Sequence, residues 1–240
     1  MIRVTIWNEY GRDQRSGRAG EVYPGGIHTI LKEKLADRDF VITTACQGPD
    51  EDDGIPDELL NSTDVLVWWG HLHNHEVHQK TVDRICDRIY KGMGFIPLHS
   101  SHRSLPFCRL MGTSCDLTWR EKAGENAFIW TVSPDHPIAE GIPPYFELEE
   151  EEMYGEYFDI PAPDEIVFLT WFRGGNVFRG GITFRRRLGK IFYFHPGHET
   201  ARSYYNENVI KIIKNAIRWA APKSEKKLEV GEWQDPVNEF

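Results

Sequence analysis

The stretch Val65-Leu66-Val67-Trp68-Trp69-Gly70-His71, followed by Gly92-Met93-Gly94-Phe95-Ile96-Pro97-Leu98-His99-Ser100-Ser101, decides the fold. Val65–Trp69 is a continuous apolar run, the pattern of a strand covered on both faces. Between the two runs, Val77–Tyr90 carries Val77, Val82, Ile85, Cys86 and Ile89 on one helical side, and the glycines at 92 and 94 end it. Phe95–Leu98 then reads as the next strand. Strand–helix–strand alternation of this kind calls for a mostly parallel sheet with right-handed crossovers. Pro97 cannot donate to a ladder, so a bulge or an early strand end is expected there.

Upstream, Val4–Trp7 reads as a first strand, followed by a Gly- and Arg-rich loop from Gly11 to Gly20. Tyr23-Pro24-Gly25-Gly26 leads into a helix with Ile27, Ile30, Leu31 and Leu35 on one face, then a strand at Phe40–Thr43 and an acidic turn at Pro49–Gly54. Downstream, Glu165–Thr170, Gly175–Thr183 and Lys190–Phe194 are β-rich and separated by Gly and Arg turns, which predicts hairpins added to the sheet. Arg185-Arg186-Arg187 belongs in a solvated hairpin turn, and Asn208–Ala220 is a closing helix. The expected architecture is α/β: a mostly parallel sheet with extra β-hairpins in the C-terminal third. Residues 1–221 are read as one domain and residues 222–240 as a polar tail, in which only Leu228, Val230 and Trp233 could dock.

The net charge of −9 argues against nucleic acid or an anionic membrane as partner. No apolar run approaches the roughly 20 residues of a spanning helix. The chain begins directly as a strand, without the pattern of a secretory leader. Cys46, Cys86, Cys108 and Cys115 show no short metal spacing and are read as small apolar core residues. A reduced cytoplasmic protein is expected.

In an open parallel sheet, ligands bind outside the carboxyl ends of the strands. The residues that follow each predicted strand are Asn8-Glu9, then Gly70-His71 with His73, His75 and His78, then His99-Ser100-Ser101-His102, and finally His195-Pro196-Gly197-His198-Glu199. Of ten histidines only His28, which opens the first helix, and His136 fall elsewhere. Imidazole and carboxylate are the usual ligands of Zn, Mn, Fe or Ni, and imidazole also moves protons near neutrality. His71, His99 and His198 are expected to meet at one sheet edge, whereas His75 and His78 are expected in solvent and His136 in a turn. No HExxH motif is present.

Glu149–Glu151 is expected to be a solvated acidic face, while Glu152 or Glu156, beside the apolar Met153-Tyr154-Gly155, could reach the histidines as ligand or base. Ser100 has the location of a nucleophile elbow but lacks the G-x-S-x-G glycines, so a substrate- or backbone-bonding serine is the favoured reading and a serine hydrolase the rival.

Several stretches resemble the ThuA-like, trehalose-utilisation family of the class I glutamine amidotransferase-like superfamily. They are Trp68-Trp69-Gly70-His71, Gly92-Met93-Gly94 through Leu98-His99-Ser100, Leu110-Met111-Gly112-Thr113-Ser114-Cys115, His136-Pro137-Ile138-Ala139, Glu151-Glu152-Met153-Tyr154-Gly155-Glu156, Gly175 to Phe178-Arg179, and Phe192-Tyr193-Phe194 through Pro196-Gly197-His198-Glu199. The resemblance implies a flavodoxin-like, three-layer α/β/α fold with a mostly parallel doubly wound sheet. In those amidotransferases a cysteine occupies the elbow; here it carries His99-Ser100, so glutaminase activity is not expected. By the same resemblance the substrates are trehalose-related disaccharides, oxidised to 3-keto sugars by a partner sugar dehydrogenase. It further implies a divalent cation, zinc first among the candidates, held by His28, His71 and His198 with Glu152 nearby. His99, Glu152 and Glu199 would serve as acid–base groups or orient the ligating rings. Asn8, Glu9, Ser100, His102, Glu156 and Trp119 would bind substrate, Trp119 by stacking on a sugar face. The rival class is a non-catalytic sugar-binding or regulatory protein, and a homo-oligomer through the aromatic late hairpins is an expectation by analogy.

Overall fold

Strand β1 (Ile2–Asn8) leads through the short helix α1 (Gly17–Val22) into α2 (Ile27–Lys34), β2 (Phe40–Cys46), α3 (Asp57–Ser62), β3 (Val65–Trp69), α4 (Gln79–Tyr90), β4 (Gly94–Leu98) and α5 (Leu105–Met111). The rest is mainly strand: β5 (Thr118–Arg120), β6 (Ala127–Thr131), β7 (Tyr145–Leu148), β8 (Met153–Gly155), β9 (Glu165–Phe172), β10 (Val177–Arg186) and β11 (Gly189–Phe194), before α6 (Glu207–Ala220) closes the chain. This computed structural model describes residues 1–121 and 125–223, and from residue 224 onward the expected tail lies outside the described residues.

Nine strands form one sheet in the order β2-β1-β3-β4-β11-β10-β9-β6-β7 among the described residues, with β5 and β8 paired as a separate ribbon. The pairings from β2 to β11 are parallel and those from β11 to β7 antiparallel. The parallel half is the flavodoxin-like order, so the mostly parallel sheet expected from the apolar pattern and the α/β/α layers implied by the resemblance are the ones observed.

Successive residues of a strand face opposite sides, so the buried run of β3 serves two cores. Val65, Val67 and Trp69 pack with α2 and α6, while Leu66 and Trp68 pack with α3, α4 and α5. That two-sided burial is why the run is apolar throughout rather than alternating. On the second face Trp7 and Trp68 stack with ring centroids 3.6 Å apart, and the Trp7 indole N–H donates to the Asp53 carbonyl at 2.8 Å. Helix α6 is capped by Asn206, whose side chain accepts from the N–H groups of Asn208 and Val209.

Four details differ from the expectation. The segment Gly11–Gly20 is not a plain loop: it holds a 3-10 turn at Asp13–Arg15 and most of α1. A short helix, α3, follows the acidic turn. Strand β4 runs through Pro97 without a bulge, keeping register with β3 (Trp68 opposite Pro97), while against β11 it pairs only at Phe95 and Leu98. The antiparallel extension also begins before the C-terminal third, because β6 and β7 complete the far edge. No helix of the described residues is long and apolar enough to cross a membrane, and none of the four cysteines is in a disulfide.

Trp68 lies wholly buried in the Trp7 stack. Trp68→Ala is therefore expected to lower the unfolding free energy by about 3–5 kcal/mol, the range for truncating a buried aromatic. Urea denaturation followed by circular dichroism measures it, and a loss below about 1 kcal/mol would contradict the two-core account.

Candidate functional site

The carboxyl ends of β3, β4 and β11 lie side by side, and each delivers a histidine. Beyond β3, His71 brings Nδ1 to 3.0 Å from Oε1 of Glu199. Beyond β11, His198 places Nε2 3.6 Å from Glu199 Oε2 and 3.9 Å from Glu152 Oε2. Beyond β4, His99 Nε2 lies 3.0 Å from Glu152 Oε2. Two overlapping groups result, His71–His198–Glu199 and His99–Glu152–His198, and in each the donor atoms lie within 4.8 Å of one another. The indole N–H of Trp69 donates to the Gly197 carbonyl at 3.0 Å and ties the end of β3 to the loop after β11.

Proton accounting separates the two groups. His99 Nδ1 is 2.8 Å from the carbonyl oxygen of His195, which can only accept, so Nδ1 carries a hydrogen. Nε2 faces the Glu152 carboxylate. Burial opposes charge on this ring, but the bond to Glu152, the charges of Glu151 and Glu152 and the His195 carbonyl raise its pKa. Glu152 moves the other way: burial would raise it, but the bond and charge of His99, with His198 and His71 beyond, bring it down to about 2. His99 and Glu152 thus form a buried hydrogen-bonded pair whose pKa shifts favour imidazolium and carboxylate, and with the Tyr154 hydroxyl also 3.3 Å from Nε2 both ring nitrogens are occupied. His99 also sits at φ 50°, a left-handed conformation that is uncommon for a side-chain-bearing residue and marks the strained elbow after β4.

In the other group His71 and Glu199 form an ion pair, Nδ1 to Oε1 at 3.0 Å, which leaves Glu199 Oε2 facing His198 Nε2 at 3.6 Å. The 3.0 Å approach of His71 Nδ1 to Glu199 is out of line for a hydrogen bond, and both His71 Nδ1 and Glu199 Oε2 are buried polar atoms without a hydrogen-bond partner. His198 keeps Nδ1 2.8 Å from the Thr200 hydroxyl, which fixes its ring. For Glu199, burial raises the pKa, but the nearness of His71 and His198 lowers it to about 2. His71 is raised, its carboxylate neighbours Glu199, Glu9 and Glu152 outweighing burial.

These groups open onto a cavity of about 810 Å³ that Ser100, His102, Tyr154 and Trp119 also line. His102 donates from Nδ1 to the Cys115 carbonyl at 2.7 Å. Burial drives its pKa down to about 3, so the ring is neutral with Nε2 unprotonated. Ser100 Oγ has no hydrogen-bond partner. Trp119 is 64% exposed and stands opposite Tyr154 across the β5–β8 ribbon, on the same face.

His71, His99, His198, Glu152 and Glu199 therefore come together, with Ser100, His102 and Trp119 around them. Four expected site residues do not join them. His28 is turned to the ends of β1 and β2, where its nitrogens meet the Asn8 amide at 3.1 Å and Cys46 Sγ at 3.5 Å; Glu199 stands where His28 was expected. Asn8 is buried in that contact and bonds the Tyr10 N–H. Glu9 is buried and accepts the N–H groups of the His71 loop rather than facing substrate. Glu156 lies outside the cavity, paired twice at 2.8 Å with the Arg179 guanidinium.

Sequence reasoning missed Glu151, expected on a solvated face, and Tyr154. Glu149 is exposed, but Glu151 and Glu152 are buried. The apolar residues that follow them were the available signal that the acidic run turns inward.

The sequence matches the family profile described as ThuA, trehalose utilisation, over residues 3–220. No curated protein matches at a significant level. Among solved structures, a ThuA-like protein from Parabacteroides merdae aligns at TM-score 0.65 and 14% identity, over 91% of this chain and 89% of that one. A cytoplasmic protein from Salmonella typhimurium aligns at TM-score 0.60 and 14% identity, over 92% and 100%. PurLQS from Thermotoga maritima aligns at TM-score 0.54 and 11% identity, over 91% and 98%. At such identities the likeness is one of fold alone.

The lowered carboxyl groups set a pH dependence for the cation-free protein. A carboxylate depressed from 4.5 to about 2 stabilises the fold above the ordinary carboxylate range and loses that contribution as pH falls from about 4.5 towards 2. For Glu152, at about 1.36 kcal/mol per pKa unit, this amounts to roughly 3 kcal/mol. His99, raised above 6.5, contributes below that pH and loses its share as pH rises through its folded value. Wild type should exceed Glu152→Gln in stability near pH 6, and the gap should close by pH 2. Urea unfolding across that range in a chelating buffer checks it; a gap independent of pH would refute the charged pair.

Proposed function

The chain belongs to the ThuA family, described as trehalose utilisation, and from that premise we propose that it is a sugar-breakdown enzyme acting on trehalose-related, 3-keto disaccharides at a divalent-cation site. His71, His198 and Glu199 would hold the cation, with Glu152 beside them and zinc the foremost candidate. The observation that carries the reading is the convergence of donor atoms that nothing else uses. His71 Nδ1 and Glu199 Oε1 meet in an ion-pair contact at 3.0 Å that is not an aligned hydrogen bond, Glu199 Oε2 is buried and unpartnered, and His198 Nε2 is 3.6 Å from that atom. Two imidazoles and a carboxylate are a common donor set for catalytic zinc.

A cation bound there supplies Lewis acidity, polarising a ketone oxygen and acidifying the neighbouring C–H. The protein's own residues do the rest. Glu152 is assigned the proton transfer, with His99 fixing its carboxylate. A substrate that fills the cavity displaces water from Glu152 and moves its pKa back upward, the direction a base requires. His102, held by the Cys115 carbonyl with Nε2 unprotonated, accepts a hydrogen bond from a sugar hydroxyl. Trp119 and Tyr154 offer an aromatic wall on which a sugar ring stacks. Isomerisation of a keto-glycoside, elimination from it, and its hydrolysis by elimination followed by addition of water all begin with this C–H activation. The 3-keto group itself has to be supplied by a sugar dehydrogenase, a partner that would share the cytoplasm. Ser100 is not favoured as a nucleophile, because no base lies within hydrogen-bond reach of its Oγ.

Protein stripped by chelator and dialysed against Zn²⁺ is expected to retain one ion per chain by elemental analysis. His71→Ala and His198→Ala should each lower that affinity at least tenfold and abolish turnover of 3-ketotrehalose, whereas Ser100→Ala keeps turnover. Sugar binding without cation or turnover would replace the enzyme with a binding protein. Loss of activity in Ser100→Ala alone would make it a serine hydrolase.

A further inference from the structure

Two buried carboxylates outside the donor group grip the loops that carry it. Glu9, just beyond β1 and 3% exposed, accepts at Oε2 the N–H of His71 and, at 3.2 Å, that of His73. Its Oε1 accepts the Leu72 N–H at 3.0 Å and the Gln14 amide at 3.2 Å. Glu151, 1% exposed, accepts at Oε2 the Gly197 N–H at 2.7 Å and the Ser203 hydroxyl. Its Oε1 accepts the N–H of His198 at 3.1 Å and that of Glu152 at 3.0 Å. Each carboxylate therefore has both oxygens doubly engaged. Between them they hold the backbone of His71, His198 and Glu152, and Glu199 follows His198 directly.

We propose that Glu9 and Glu151 are positioning residues of the cation site: anionic backbone clamps that set the donor loops before the ion arrives. The inference rests on the cation reading above. Peptide N–H groups at a buried strand end need acceptors, and a neutral acceptor would satisfy them. A carboxylate does so from a single side chain that takes four donors at once, and it adds negative charge beside the place where a divalent cation enters. Glutamine cannot substitute, because one of its two terminal atoms would turn an N–H₂ donor towards N–H donors.

Zn²⁺ affinity of chelator-stripped protein, measured in competition with a chromophoric chelator, tests the clamps. Glu9→Gln and Glu151→Gln are expected to weaken it roughly 10- to 100-fold with circular dichroism unchanged. In a double-mutant cycle Glu9→Gln should have little further effect once His71→Ala is present, whereas a role confined to stability would add in full. Unaltered Zn²⁺ affinity in both variants, or full additivity in the cycle, overturns the proposal. Wild type that takes up no Zn²⁺ overturns the cation reading and this inference with it, a distinguishable result. Where a variant does not fold, amide exchange of cation-free wild type decides. Protection of the N–H groups of His71, Leu72, His73, Gly197 and His198 comparable to β3 supports preset loops, and rapid exchange there overturns them.

Discussion

Four glutamates, Glu9, Glu151, Glu152 and Glu199, are buried around one end of the sheet, and a buried charge is tolerated only when something compensates it. The arrangement of this end of the molecule follows from how each is compensated. Glu9 and Glu151 are saturated by peptide N–H groups and neighbouring polar side chains. Glu152 is matched by the His99 imidazolium, with its backbone carbonyl also taken by His195 at 2.9 Å. Glu199 alone is left with an oxygen that nothing bonds. Saturated groups build, and an unsaturated group beside two imidazoles is where an exogenous partner fits.

The sheet supplies the precision this requires. Strands β3, β4 and β11 are adjacent and parallel, so their carboxyl ends deliver His71, His99 and His198 to one rim without help from long loops. Gly197 is the hub of the last of these loops: its N–H bonds Glu151 while its carbonyl receives the Trp69 indole. Its φ is 136°, and a Cβ there would lie 1.9 Å from the Tyr204 hydroxyl, so only glycine can occupy the position. The loop carrying His198 and Glu199 is thus fixed by covalent geometry and by hydrogen bonds to two other elements.

The parallel half of the fold was legible because burial on both faces writes itself into sequence as apolar runs, and Val65–Trp69 could hardly be anything else. The far antiparallel edge was less so: Ala127–Thr131 and Tyr145–Leu148 are short and half exposed, and their pairing is set by tertiary neighbours. In the site, placement was legible and role was not. That His71, His99 and His198 follow strands is visible residue by residue. That His99 is spent on Glu152 and on the His195 carbonyl depends on partners 53 and 96 positions away, which no local pattern encodes. The same limit explains His28, whose position opening a helix looked suitable but whose ring is claimed by Asn8 and Cys46. It explains Glu151 as well, since an acidic run reads as solvent until the chain is known to turn inward.

The elbow after β4 shows how one scaffold can carry unrelated chemistry. A nucleophile at that turn has to present an unspent atom to the substrate, with a base beside it. Here the elbow residue has a left-handed backbone, at φ 50°, yet its side chain is a fully buried histidine with both nitrogens already hydrogen-bonded. Cys108, from α5, borders the cavity away from the elbow, with its thiol against the His102 and Ser114 carbonyls. The strained turn here aims a buried imidazole inward, at the carboxylate of Glu152.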